Sequence, residues 1–184
     1  MFLAAIMPPS NIRRIIYDYQ ISLFRSTGNP AALALPPHLP IAFFEAAPPS
    51  PGSLVQLEPI ESTGILSDPP WLLLECGPAE EIRRLRSHLP ESDTSGFYPV
   101  GRGVLLSAAP NAAVPQRLKM REDAPAAAVA PGPGQSVSVG GTPALRWKSS
   151  HVACMELIAA RQDRWWEHLE YSVIWQVKLK RKID

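Results

Sequence analysis

Phe2 to Met7 is an unbroken apolar run that stops at Pro8-Pro9, the length and punctuation of a short buried strand. Ser10 then stands as an N-cap. After it, Ile12, Ile15, Ile16, Tyr19 and Leu23 recur at helical spacing, which predicts a helix with one apolar stripe ending near Gly28. Leu39 to Phe44, Ser53 to Ile60 and Trp71 to Cys76 read as strands between proline-rich breaks. Pro78 opens a second helix with Glu80 and Glu81 in its first turn and Ile82, Leu85 and Leu89 on the buried side. Gly103 to Ala108 and Val152 to Ile158 are further apolar strands. In the last element Tyr171, Val173, Trp175, Val177 and Leu179 alternate with polar residues, predicting one half-buried strand. Strands in two lobes, each with a helix outside, suit this order better than a doubly wound sheet, so the fold class is α+β.

At 184 residues and 46% hydrophobic content, a single domain over 1–184 can bury its own core without metal or disulfide. The 21 prolines mostly fall between apolar runs and punctuate them. Residues 110–143 differ, being dominated by Ala, Pro, Gly and Ser, with Gln116 to Arg121 as a short strand-like interruption. Residues 124–141 contain no aromatic side chain and read as a flexible insertion. Cys76 and Cys154 each lie in an apolar run, the pattern of buried reduced thiols. The start is too short for a signal-peptide core, and no stretch approaches the roughly 20 apolar residues of a bilayer span, so the expected location is cytoplasmic with no membrane association. With 18 basic and 17 acidic side chains and a net charge of +1, no global field draws the chain to nucleic acid. Any anion site must be local.

Pro37-His38-Leu39-Pro40-Ile41-Ala42-Phe43 resembles the first signature of the two-histidine (2H) phosphoesterases, in which a His, an apolar residue, a Thr or Ser and another apolar residue follow a proline. The opening strand ending in proline, the amphipathic helix after it, a middle segment like Ile65 to Cys76, a helix like Pro78 to Leu89 and a tail like Arg146 to Lys180 are similar to the branch containing bacterial RNA 2′,3′-cyclic phosphodiesterases and 2′-5′ RNA ligases. The resemblance covers most of the chain outside the insertion, by order and pattern. It implies a bilobed fold, two antiparallel β-sheets facing a central cleft with helices outside. It also implies a metal-independent mechanism. Residues two apart in a strand share a face, so each signature aims a histidine and a hydroxyl into the cleft. One imidazole acts as base, the other as acid, and the hydroxyls hold the phosphate.

The first signature here keeps His38 but has Pro40 at the hydroxyl place, which supplies no donor and argues for an edge strand or a bulge. Two registers are open for the second. In Tyr98 to Leu106, the histidine place falls on Gly103 and the hydroxyl place on Leu105. In Ser150-His151-Val152-Ala153-Cys154 a histidine is present, but Ala153 takes the hydroxyl place. That histidine also lies 113 positions after His38, leaving too few residues for the closing strands. The Gly103 register is the better match. The catalytic candidates are therefore His38 and, alternatively, His151, with Arg102 beside the second motif as a phosphate contact.

Each has a plainer reading: His38 as a strand-end residue, His151 as structural, Arg102 as a surface arginine. His88 and His168 read as surface residues, Trp165-Trp166 as a stacking platform or a packed loop, and the run Lys178 to Lys182 as an RNA contact or a solvated strand end. No ligand spacing supports a metal, and no cofactor is implied. The expectation is an impaired 2H-like monomer that binds an RNA end, a nucleotide or a protein partner. The alternatives are an active cyclic phosphodiesterase and a structural interaction module.

Overall fold

The computed structural model describes residues 1–55, 58–68, 71–91, 99–108, 136–137, 145–149, 151–158 and 169–180. Their order is β1 (Phe2–Ile6), α1 (Ser10–Thr27), a 3-10 turn (Ala31–Leu33), β2 (Leu39–Phe44), β3 (Leu54–Val55), β4 (Ile60–Asp68), β5 (Trp71–Gly77), α2 (Ala79–Arg86), β6 (Gly103–Ala108), β7 (Ser136–Val137), β8 (Arg146–Trp147), β9 (His151–Ile158) and β10 (Glu170–Lys180). A terminal sheet runs β2-β1-β9-β10-β3, and a middle sheet runs β6-β5-β4-β7 with β8 also on β4. Pairing is antiparallel except between β10 and the two residues of β3.

β1 is an interior strand of its sheet and its alternate residues feed two cores, which is why it reads as a continuous apolar run. Ala4 and Ile6 join a core that contains Ile12 and Ile16 of α1 and Ile82 and Leu85 of α2. Leu3, Ala5 and Met7 join a second core that contains no residue of either helix. It takes Phe43, Ala153, Met155 and Leu157 from the terminal sheet and Leu66, Leu73 and Leu105 from the middle one. The helix-free faces of the two sheets meet there.

Several expectations change in detail. Pro9, not Ser10, stands at the N-cap of α1, with no side-chain cap bond, while Gly28 closes the helix in a left-handed conformation, φ 72°, donating its N–H to Phe24 O. The buried face of α1 is turned toward Ile16 and Gln20, leaving Ile15 41% exposed and Gln20 only 2%. Of the strand expected over Ser53 to Ile60, the described residues show β3 and, beginning at Ile60, β4. β4 escapes a periodicity reading because Glu61, Ser62, Thr63 and Gly64 carry no apolar alternation, yet it is paired on both edges. In β10, Ile174 is an extra residue between Val173, opposite Met155, and Trp175, opposite Cys154. A bulge moves the following side chains to the other face. Tyr171 and Val173 are thus exposed, whereas Trp175, Val177 and Leu179 pack on or in the helix-bearing core.

Within the insertion, Ser136–Val137 pairs with Leu66 and Ile65, so at that point it joins the middle sheet. The rest of 110–143 lies outside the described residues. No helix among the described residues is long and apolar enough to cross a membrane.

Candidate functional site

β2 and β6 are edge strands of their sheets, and the chain entering β6 is bonded to β2: Gly101 N–H donates to Pro40 O at 2.8 Å. Pro40 lies opposite Ala5, where the β1–β2 register shifts, so it occupies both an edge strand and an irregularity. That is where a residue lacking an N–H can be accommodated.

His38 precedes β2 and is 3% exposed. Its Nδ1 is 2.7 Å from Pro36 O, which sets the tautomer: Nδ1–H donates and Nε2 is an acceptor. Burial lowers its pKa from 6.5 to about 4, partly opposed by the Pro36 bond. The hollow beside it, lined by Gln20, Ala32, Leu35 and Leu105 among others, measures about 10 Å³. That is the scale of roughly one water molecule, not of a phosphate.

Across from β2, Leu105 is 4% exposed within the helix-free core, and its carbonyl accepts from Gln20 Nε2 at 2.7 Å. Gly103 passes so close to β5 that a Cβ built on it would lie 2.3 Å from Leu74 O and 2.8 Å from Leu74 C. No side chain fits there on this backbone.

His151 opens β9 and is partly buried. Its pKa is lowered from 6.5, first by burial and then by the neighbouring Arg13. Ile6 pairs with Leu39 on one side and Val152 on the other, so the next residue, Met7, stands between His38 and His151. The two histidines are two strand spacings apart, about 10 Å between backbones, in one sheet. Arg102 is about half exposed and forms an ion pair with Asp68. His88 is on the surface, with Nδ1 2.7 Å from Arg84 O. His168, Trp165, Trp166, Arg181 and Lys182 lie outside the described residues.

No protein-family model matches the chain, and no curated protein matches it in sequence. Solved structures do. TT0787 of Thermus thermophilus superposes with a TM-score of 0.61 at 14% identity over 99% of both chains. E. coli LigT complexed with 3′-AMP gives 0.57 at 15% identity over 97% of both, and a further phosphoesterase 0.51 at 15% over 97% of both. The fold is that of the 2H phosphoesterases.

Within this 2H fold, a neutral His38 can accept a proton at Nε2, but it has none to donate there until the pH approaches 4. Cys76 and Cys154 belong to different sheets and are free thiols. Burial pushes both up to about 12, leaving them protonated and poor nucleophiles. Among the described residues no cluster of His, Cys, Asp or Glu could hold a metal ion.

Sequence reasoning missed Gln20, whose side chain ties α1 to β6. The signal was present, since Ile12, Ile16 and Gln20 are spaced four apart and share a face.

Proposed function

We propose that this LigT-like 2H-fold protein does not operate the two-histidine mechanism and serves instead to bind a nucleotide, an RNA end or a protein partner. The observation that carries this reading is the close approach of Gly103 to the Leu74 carbonyl, which leaves no room for an imidazole at the position that the preferred register assigns to the second histidine. Pro40 and Leu105 offer no side-chain donor to a phosphate on either strand. Loss of a general acid or base costs about 10²–10⁴ in rate, and loss of an anion donor about 10² or more. The nucleotide part of the proposal draws on the E. coli LigT neighbour, which is a complex with 3′-AMP.

The decisive assay offers an RNA with a 2′,3′-cyclic phosphate end, without added metal, to the wild type, His38→Ala and His151→Ala, with 3′-AMP binding followed by calorimetry. The expected result is no turnover above background in any of the three. One observation favours an active enzyme, namely that His38 and His151 flank Met7. Vigorous turnover abolished by either substitution would establish that alternative in place of ours.

A further inference from the structure

β10 borders the terminal sheet, with β3 beyond it only at Leu179 and Lys180, so along 170–178 no strand of the described residues covers its outer side. Its helix-free face is fixed by its partners on β9. Tyr171 stands opposite Leu157, Val173 opposite Met155 and Gln176 opposite Ala153, and all three partners belong to the helix-free core. Lys178, opposite His151, and then Lys180 continue the same face. Strict alternation from Tyr171 would have brought Trp175, Val177 and Leu179 there instead. The unmatched Ile174 exchanges them for the glutamine and the two lysines. Ala153, Met155 and Leu157 are buried, whereas Tyr171, Val173, Gln176, Lys178 and Lys180 are all exposed, so this side of β10 is an open ledge beside the core. Glu170, opposite Ile158, points to the other face, and neither lysine belongs to an ion pair among the described residues. The ledge thus carries an aromatic ring at one end, two ammonium groups at the other and no carboxylate of its own strand.

We propose that this face of β10 is a binding surface for single-stranded nucleic acid, held along its backbone and by base stacking rather than by its end. The exposed Tyr171 ring offers a platform for a base, a contact that every base can make. Lys178 and Lys180 have Cα atoms about 7 Å apart on one face, the separation of successive phosphates in an extended strand. Gln176, between them and the ring, offers both a donor and an acceptor to a base edge or sugar. From Tyr171 to Lys180 the ledge is about 30 Å long, room for several nucleotides. An acidic peptide would answer the two charges and leave the ring without a role. The surface shares with the proposed function only the nucleic-acid class of ligand, and it needs neither turnover nor the hollow beside His38.

Fluorescence anisotropy of the full chain with a labelled oligothymidylate of about ten nucleotides, at low ionic strength, tests it. The probe has no 2′-hydroxyl and no terminal phosphate, so it reports on the ledge, while 3′-AMP calorimetry reports separately on the binding of a nucleotide end. Saturable binding is expected, with log K falling against log salt at a slope of about −1.4 or steeper, the value for two phosphates neutralised on a single strand. Lys178→Gln and Lys180→Gln should each lower the magnitude of that slope by about 0.7. Tyr171→Ala should weaken binding about tenfold without changing the slope, and Tyr171→Phe should restore it. Tyr17→Ala, at an exposed aromatic on α1, and Arg146→Gln, in an exposed ion pair on the middle sheet, should change neither quantity. The substituted ledge side chains are exposed, so their variants should melt with the wild type. Absence of saturable binding, slopes unmoved by both lysine substitutions, or equal weakening by Tyr17→Ala would overturn the surface. So would an oligoglutamate peptide that competes as well as unlabelled oligothymidylate, since it would assign the ledge to an acidic protein.

Discussion

The starts of β2 and β6 stand on adjoining edges of the two sheets, and they differ in what they leave open to chemistry. At β2 an imidazole is present but enclosed: His38 is 3% exposed, bonded to Pro36 and neutral. At β6 there is neither a side chain nor the volume for one, because Gly103 lies against the Leu74 backbone. The first condition is one of environment, the second of backbone position. Side chains can be restored to β2 by substitution, whereas β6 would first have to move away from β5, which it pairs through Gly103–Glu75, Val104–Leu74 and Leu105–Leu73.

The sharpest way to break this contrast is Gly103→His, with Gly103→Ala beside it. Both place a Cβ against main chain that no rotamer change relieves. Overpacking costs about 1–3 kcal/mol and occasionally more, and a backbone clash falls at the upper end. For a chain of this size that is roughly 5–10 °C of melting temperature. A variant that melts with the wild type would show that β6 can accept the second histidine.

An effect of similar size, reached only toward the acid end, is expected from the protonation of His38. Its folded pKa, about 4, lies below the unfolded value of 6.5, so the unfolded chain binds the proton more readily between those limits. Stability on this account is full above about pH 6.5 and falls as pH drops toward 4, by up to about 3 kcal/mol. Urea melts across that window should show the decline in wild type and a shallower one in His38→Leu. Equal slopes would mean that His38 is not enclosed.

Pro40→Thr should change least, within about 1 kcal/mol, because Pro40 already sits at an irregular edge and its carbonyl bond to Gly101 is retained. The substitution puts a hydroxyl where the resemblance to the first signature would have one. It should not by itself yield turnover on a cyclic phosphate end, since Gly103 and Leu105 are unchanged. Turnover in that single variant would overturn the proposal that β6 keeps the two-histidine mechanism from operating.

The amino-acid sequence by itself determined the elements whose burial is one-sided or complete. β1, β2, β5, β6 and β9 are apolar runs between breaks, and Ile82, Leu85 and Leu89 are all buried along and just past α2. Together with the pattern around His38, they made the two-lobed class legible. What only the tertiary structure decided arises between residues distant in the chain. β4 is a strand because β5, β7 and β8 pair with it, despite its polar run. Tyr171 and Trp175 occupy opposite faces because Ile174 is unmatched on β9. His38 is neutral because α1, the 3-10 turn and β6 enclose it, and Gly103 is confined by a carbonyl 29 positions earlier. Periodicity records how often a segment meets the core. It holds no term for register, bulges or the approach of another strand, and in this protein those set the chemistry open to each candidate residue.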